Sequence, residues 1–255
     1  MSQIDTDKIR AIVPVTDAIQ YVVEETRLAS ILHRGIIVLR GHDVYLRLAK
    51  KMALENSQKR IVPQIDLLLR DAPNLSKEAD EISKNDFELV NRHAFISIWA
   101  AFESSIEDTI KFLLSHSSEP IDILDSFGIS YKRPVFDTSD QSLSVQVRKI
   151  EQAARKKHEL KIGKAYSWVF SRFDVHINRL RINDGALEEG NAVRNCILHN
   201  SGIVDERASK VSSLSGSLNR KIKITKAKYL QYYDAVGQFL NGLLEALISS
   251  ALLRK

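Results

Sequence analysis

The segment Arg194-Asn195-x-x-x-His199 places three side chains that can act on a phosphodiester within six residues of each other. A histidine can take up or release a proton near neutral pH, so it can serve as a general base or a general acid. An arginine is always charged and planar, so it can bind a phosphate and the negative charge that develops on it during attack. We therefore take Arg194, Asn195 and His199 as the candidate catalytic residues.

RNA suits these groups, because its 2′-hydroxyl is a built-in nucleophile. The protein then has only to move protons and stabilise charge, and no cofactor is required. The expected products carry a 2′,3′-cyclic phosphate and a 5′-hydroxyl. The seven histidines are scattered and there is a single cysteine, a pattern that predicts no metal site.

Helical geometry adds a constraint to the motif. Asn195 and His199 are four residues apart and share a helix face, so the amide could orient the imidazole or contact phosphate. Arg194 and His199 are five residues apart, about 140° around a helix, and their side chains do not naturally converge. Either the helix distorts near its end, or a two-fold axis brings two motifs together and supplies two histidines, one acid and one base. We therefore expect a homodimer.

The distribution of charge indicates a polyanionic partner. The net charge is only +5, but residues 148–181 hold ten basic and three acidic side chains, and a second basic run covers 220–228. One such run is usually a solvated helix face, but two runs flanking the motif favour nucleic acid. The candidate RNA-binding residues are Lys156, Lys157, Lys161, Lys164, Arg179, Arg181, Lys221 and Lys223.

Helices must position these residues, because ten glycines and five prolines are few for 255 residues and argue against turn-rich β architectures. Apolar residues recur at helical spacing. This predicts helices over 15–57 (broken at Gly35 and Gly41), near 65–69, from 71–74 onward, and over 86–115, 142–158, 162–173, 185–200 and 226–253. We expect a loop at 128–142, an exposed serine-rich segment at 205–220 and a short extended stretch at 221–225. The predicted fold class is all-α, a helical bundle.

The motif resembles the RNxxxH form of the signature of HEPN domains (higher eukaryotes and prokaryotes nucleotide-binding). It ends a predicted helix and continues into Asn200-Ser-Gly202. The stretch 94–107 is similar to the first core helix of such domains, and a terminal helix rich in Tyr, Phe and Leu follows the motif. The resemblance covers roughly residues 85–255, which we expect to form an HEPN-like helical domain. Residues 1–84 are expected to form an additional helical N-terminal region of unknown role.

The resemblance implies a helical unit that dimerises and joins two motifs. Relatives with an intact motif are commonly endoribonucleases of anti-phage defence or toxin–antitoxin systems, which implies RNA as substrate and an antitoxin or regulatory protein as a further partner. An acidic or polar residue on the first core helix often faces the motif. Here Glu103 is the candidate, as a partner of Arg194, as a support for His199, or as a solvent-facing side chain.

Two other classes of protein remain open at this point. One is a non-catalytic HEPN module that binds RNA, a nucleotide or a protein as an adaptor. The other is an oligomerising helical protein whose basic runs are ordinary surface. An RNA-cleavage assay distinguishes the non-catalytic HEPN module from an enzyme. The salt dependence of RNA binding distinguishes the oligomerising helical protein from both of them.

The sequence favours a cytoplasmic protein without a membrane segment. Residues 1–10 lack the apolar stretch of a secretory signal. The longest apolar windows, 95–102 and 242–253, are too short to span a bilayer. The single cysteine, Cys196, fits a reducing compartment and is expected in the core.

Overall fold

The computed structural model describes residues 3–132 and 135–250. Within these ranges all the regular elements are helices, and the β-pairing amounts to one isolated antiparallel bridge between Ile203 and Lys221. The predicted all-α class is therefore confirmed. None of the helices in the described ranges is both long enough and apolar enough to cross a membrane.

Ten α-helices follow one another along the described residues. They are α1 (Gln3–Arg40), α2 (His42–Glu55), α3 (Val62–Leu69), α4 (Ala72–Lys84), α5 (Glu88–His116), α6 (Pro120–Ser126), α7 (Asp140–His158), α8 (Ile162–Ser171), α9 (Asp184–His199) and α10 (Lys226–Ser249). Short 3₁₀ turns occur at Lys59–Ile61, Arg179–Arg181, Ala208–Lys210 and Ser212–Leu214. The predicted end of the last helix, at 253, lies outside the described residues.

Local side-chain caps explain where several of these helices begin. Asn183 Oδ1 accepts a hydrogen bond from the backbone N–H of Ala186 at 3.1 Å, at the start of α9. Thr225 Oγ1 accepts one from the backbone N–H of Lys228 at 3.2 Å, at the start of α10, which the sequence placed at 226. Each cap satisfies an amide that has no partner inside the helix.

The structure differs from the sequence prediction at several places, among them the start of α1, which lies at Gln3 and not at 15. Gly35 does not interrupt α1, because a glycine inside a long helix costs only about 1 kcal/mol; the break falls at Gly41. Pro120 begins the unpredicted helix α6, since a proline at the first helical position loses no hydrogen bond. The segment 205–220 is not simply an exposed loop, because it buries Ala208, Val211 and Leu214.

The described residues form two compact units. The first unit draws on 3–24, 95–132, 135–222 and 230–250, and the second draws on 25–94 and 223–229. This division differs from the single boundary at 84/85 expected from the sequence, because α1, α5 and α10 each contribute residues to both units. An unbroken helix carries no local signal where its packing partners change.

Aromatic side chains of α5, α8 and α10 form the core of the first unit. The ring of Phe102 packs edge-on against Tyr166 and Phe239, with centroids 5.8 and 5.5 Å apart. Helix α9 lies directly on this core, because a Cβ atom at Gly190 would come within 2.5 Å of the indole of Trp99. Only glycine allows so close an approach, and this contact sets the position of α9 against α5.

The second unit holds a buried polar cluster beside many exposed apolar side chains. His33 Nε2 and Asn91 Oδ1 are 3.0 Å apart, and Asn91 Nδ2 donates to the carbonyls of Asp86 and Ile224 at 2.8 and 3.0 Å. Burial lowers the pKa of His33 despite its bond to Asn91. Exposed apolar side chains of this unit include Ile31, Val38, Val44, Tyr45, Met52 and Leu67.

Candidate active site

The motif lines an open cavity of about 290 Å³ in the first unit, which we call the motif cavity. Arg194, Asn195 and His199, from the C-terminal half of α9, all contribute to its wall. The other lining residues are Arg155, Leu160, Asn191, Ala192, Cys196, Asp205, Arg207 and Ala208. The three predicted catalytic residues therefore share one cavity.

Arg194 is held in place by two neighbours. Its Nη2 atom donates a hydrogen bond to Glu103 Oε2 on α5, and its Nη1 atom donates to Asn195 Oδ1 at 3.0 Å. Glu103 thus adopts the first of its three expected roles, as the partner of Arg194. Asn195 supports the guanidinium of Arg194, whereas the sequence suggested that it could orient the imidazole of His199.

Close packing between α5 and α9 explains the pairing of Glu103 with Arg194. Gly190 lies against Trp99, and one helical turn further along each helix come Arg194 and Glu103. The ion pair therefore forms next to this close contact, and both of its side chains are mostly buried. A charge-assisted hydrogen bond in such surroundings fixes the orientation of the guanidinium.

A second guanidinium, from Arg155 on α7, also faces Glu103. Its Nη2 atom lies 3.8 Å from Glu103 Oε1, so one carboxylate lies between two arginines. Burial, and to a smaller extent the charges of Glu103 and Glu107, raise the pKa of Glu151 despite the nearby Arg155. Burial likewise raises the pKa of the Tyr166 hydroxyl. Glu151 and Tyr166 are therefore desolvated groups that interact with Arg155.

The segment after α9 forms the opposite wall. Ser201 (φ +52°) and Gly202 (φ +79°) turn the chain back, and the backbone N–H of Gly202 donates to the carbonyl of Cys196 at 2.9 Å. This turn brings Asp205 and Arg207 to the cavity. Asp205 Oδ1 accepts a hydrogen bond from the backbone N–H of Ala208 at 2.7 Å, which fixes the start of the next 3₁₀ turn.

The motif cavity is therefore rich in guanidinium groups. Arg155, Arg194 and Arg207 line it together with one carboxylate, that of Asp205. Guanidinium groups match the oxygens of a phosphate in geometry and charge. The electrostatics of the cavity suit a ligand that carries phosphate.

His199 is the last residue of α9 and is exposed at the mouth of the cavity. Although Arg194 and His199 are about 140° apart around the helix, both line the motif cavity. The other lining residues come from α9 itself, from α7 and the residue Leu160 that follows it, and from residues 205–208 of the segment after α9. A single chain therefore brings both residues to one cavity.

Asn191 is a lining residue that the sequence analysis missed. Its side chain is 6% exposed, and its Oδ1 atom is buried without a hydrogen-bond partner among the described residues. It lies four residues before Asn195 and eight before His199, so the three share one face of α9. That spacing was the available signal, whereas no local pattern identified Arg155 or Arg207.

Cys196 is buried, as expected, and forms part of the cavity wall. Burial raises the pKa of its thiol, so the uncharged form is favoured. Among the residues that the structure describes, no group of three or more His, Cys, Asp or Glu side chains is arranged to hold a metal ion.

The candidate RNA-binding residues separate into groups. Lys156, Lys157, Lys161 and Lys164 line a second cavity of the first unit, of about 640 Å³. Arg179 is committed to an ion pair with Asp184, and Arg181 is exposed in the same 3₁₀ turn. Lys221 is exposed and forms the isolated bridge with Ile203, and Lys223 belongs to the second unit.

Comparison of the chain with protein-family models, with curated proteins and with solved structures finds no match. Function is therefore inferred from the residues of the cavities and from the resemblance of the motif.

Proposed function

We propose that this protein is an endoribonuclease that needs no metal ion. The observation that carries the proposal is that His199 shares one cavity of about 290 Å³ with the guanidinium groups of Arg155, Arg194 and Arg207. Such a cavity offers a phosphate several positive charges and one group that can transfer a proton. The resemblance of the motif to HEPN domains supports the same conclusion.

The reaction is an internal transesterification. The 2′-oxygen of the ribose forms a bond to phosphorus, and the bond between phosphorus and the 5′-oxygen breaks. The 2′-hydroxyl loses a proton, which His199 accepts, and the 5′-oxygen gains one. Arg194 and Arg155 stabilise the negative charge that builds up on the phosphate oxygens during attack.

A homodimer is part of the proposal, because a second His199 from a partner copy would supply the proton for the leaving oxygen. Pairing is not needed to bring Arg194 and His199 together, since both line the cavity of one chain. Exposed apolar side chains beside the motif, Leu198 at 49% and Ile203 at 37%, support an interface at the end of α9.

Sedimentation equilibrium tests the dimer. We expect the wild type to sediment as a dimer and the Leu198→Glu variant as a monomer with little activity, because a charge in an apolar interface is poorly solvated. A wild type that is monomeric at the concentration at which it cleaves RNA would refute the dimer and leave the nuclease intact.

The central experiment incubates the protein with total cellular RNA in the presence of a chelator. We expect the wild type to cleave RNA and leave 2′,3′-cyclic phosphate ends. His199→Ala should lower the rate by about 100-fold or more, because a general acid–base contributes at least that much. The matched control is His176→Ala, which removes an exposed histidine that does not line the motif cavity.

RNA affinity measured on the same variants separates the alternatives. His199→Ala should bind RNA as the wild type does, since the arginines remain. If the wild type binds RNA but cleaves no RNA pool, the nuclease proposal fails and a binding module takes its place. If it neither binds nor cleaves RNA at low salt, both proposals fail.

For the cell, we propose the role that the resemblance implies, a toxic effector of bacterial defence or of a toxin–antitoxin pair that a protein partner restrains. Induced expression of the wild type in bacteria should stop growth, and expression of His199→Ala should not. Growth arrest by both proteins would show that toxicity does not come from cleavage.

A further inference from the structure

Amino groups dominate the second cavity of the first unit, which we call the lysine groove. Its volume of about 640 Å³ exceeds that of the motif cavity. Five lysines line it, namely Lys156, Lys157, Lys161, Lys164 and Lys210. Among the described residues, none of these five amino groups forms an ion pair with a carboxylate. The groove also contains the carboxylates of Glu159 and Glu188, but no ion pair between described residues neutralises the charge of its five lysines.

The lysine groove and the motif cavity adjoin. Leu160 lines both of them. The segment after α9 also forms a wall of both, with Arg207 in the motif cavity and Lys210 in the lysine groove. A chain-like ligand that leaves the motif cavity past Leu160 therefore enters the lysine groove.

The lysines affect a neighbouring histidine within the groove. Burial lowers the pKa of His158, and the positive charges of Lys157, Lys164 and Arg179 lower it further. Glu188 on α9 also lines the groove, and burial and the charge of Asp184 raise its pKa although Lys161 and Lys164 act in the other direction. In both cases the lysine charges act against added positive charge and in favour of an anion.

We propose that the lysine groove binds the backbone phosphates of the single-stranded RNA segment that flanks the scissile bond. This inference deepens the proposed endoribonuclease function and rests on it. An RNA strand carries one negative charge per nucleotide, so a strand placed in the motif cavity presents its next phosphates to the lysines. A single strand can bend around Leu160 between the two cavities, and its unstacked nucleotides are free to enter them.

The preferred substrate is accordingly a strand of several nucleotides. A dinucleotide fills only the motif cavity, whereas a longer strand also gains the phosphate contacts of the groove. Those contacts carry no sequence information, so they raise affinity for all strands alike. Cleavage efficiency should therefore rise with strand length until the groove is filled.

The test compares two substrates and two triple variants. The substrates are a dinucleotide with the sequence cut in total RNA, and a single strand of about 12 nucleotides that contains it, a length within the usual range of single-strand sites. The test variant is Lys156→Gln/Lys161→Gln/Lys164→Gln. The control is Lys51→Gln/Lys59→Gln/Lys77→Gln, which removes the same charge from exposed lysines that line neither cavity.

For the groove variant, kcat/KM on the longer strand should fall by about tenfold or more at moderate salt, and the salt dependence should weaken by roughly 2 in the log–log slope. Its dinucleotide activity should stay at the wild-type level, because the motif cavity is untouched. The control variant should retain both activities. If the groove variant kept its activity on the longer strand, or lost activity equally on both substrates, the proposal that the lysine groove binds RNA would be refuted.

Fluorescence gives a second measurement that does not depend on cleavage. Lys157 Nζ lies 4.4 Å from the ring centroid of Trp168, and the other tryptophan, Trp99, is 1% exposed. A strand that draws Lys157 onto a phosphate should change the emission of Trp168. We expect this change when the cleavage-inactive His199→Ala protein binds the longer single strand, and not when it is mixed with a duplex of the same sequence.

This measurement separates failure of the groove from failure of the nuclease. If no RNA is cleaved, but the strand alters Trp168 emission in the protein with intact groove lysines and not in the groove variant, the nuclease proposal is refuted and RNA binding by the groove is supported. If RNA is cleaved but the emission does not respond to the strand, RNA binding by the groove is refuted and the nuclease proposal is supported. An equal response to the duplex would refute the preference for single strands.

Discussion

Glu103 and Arg194 join α5 to α9 through a hydrogen-bonded ion pair at the edge of the motif cavity. The other oxygen of the same carboxylate lies 3.8 Å from Arg155, so Glu103 orients two of the three arginines. The negative charge of Glu103 also offsets part of the positive charge of the two arginines. Glu103 is therefore a positioning residue, which acts on the reaction through the arginines that bind the phosphate.

Glu103→Gln should lower both kcat and KM. Loss of the ion pair lets the guanidinium of Arg194 move, and misplacement of such a group reduces kcat by up to about 100-fold. Loss of the negative charge makes the cavity more positive, so RNA should bind more tightly. Steady-state kinetics on the single strand measures both constants.

Glu107→Gln is the control for this variant, because Glu107 pairs with Lys111 at 3.1 Å one helical turn further along α5. It should leave both constants unchanged. A Glu103→Gln enzyme with unaltered kcat would contradict the positioning role, even if its thermal stability dropped.

Asn191→Leu should lower activity without lowering stability. The amide oxygen of Asn191 is buried and has no hydrogen-bond partner among the described residues, so replacing it with an apolar group of similar size removes a desolvation penalty. The cavity loses at the same time a polar group that can bond to the substrate. We expect an unchanged or higher Tm in thermal unfolding, together with reduced kcat/KM.

Asn91→Leu gives the matched comparison for stability. Asn91 is fully buried, and its side chain bonds to His33 and to the carbonyls of Asp86 and Ile224. Replacing Asn91 with leucine leaves those partners without a hydrogen bond, which lowers the free energy of unfolding by about 1–3 kcal/mol for each unsatisfied group. If Asn191→Leu proved as destabilising as Asn91→Leu, the amide of Asn191 would be structural.

Arg155 should matter more for its geometry than for its charge. Arg155→Gln removes one charged donor from the cavity and should reduce kcat/KM by about 100-fold, the usual effect of losing such a donor. Arg155→Lys keeps the charge but not the planar fork, so it should restore only part of the activity. Initial rates on the single strand report both effects.

Arg172→Lys is the corresponding control, because Arg172 lies 5.3 Å from the ring centroid of Trp168 and does not line the motif cavity. It should cleave as the wild type does. Full recovery of activity by Arg155→Lys would show that charge alone is sufficient at this position.

Glu151→Gln should stabilise the protein in a pH-dependent way. The pKa of Glu151 is raised on folding, mainly by burial, so the folded state disfavours its charged form. Wild-type stability contributed by this group is therefore present below the ordinary glutamate pKa and lost as the pH rises through the raised value. The advantage of Glu151→Gln should be absent at acid pH, grow through that window and then stay constant.

Thermal unfolding between about pH 4 and pH 8 measures this difference. Glu159→Gln serves as the control, because Glu159 is exposed and its replacement should change Tm little at any pH. A constant difference between Glu151→Gln and the wild type across the range would mean that Glu151 does not titrate there.

The helices were largely predictable from the sequence, because their signals are local. The starts of α9 and α10 have such a local signal, since Asn183 and Thr225 each accept a hydrogen bond from an amide three residues further on. No local signal showed that the helix breaks at Gly41 and continues through Gly35. A single glycine changes helix stability by only about 1 kcal/mol, which tertiary packing can override.

For the site, the sequence alone determined that Arg194, Asn195 and His199 lie together at the end of one helix. Only the tertiary structure decided that Glu103 pairs with Arg194, because the contact of Gly190 with Trp99 sets the register between α9 and α5. Tertiary packing also brought Arg155 to the cavity from another helix, α7. Spacing along a helix follows from its fixed geometry, whereas contacts between helices depend on how the side chains of the whole unit pack.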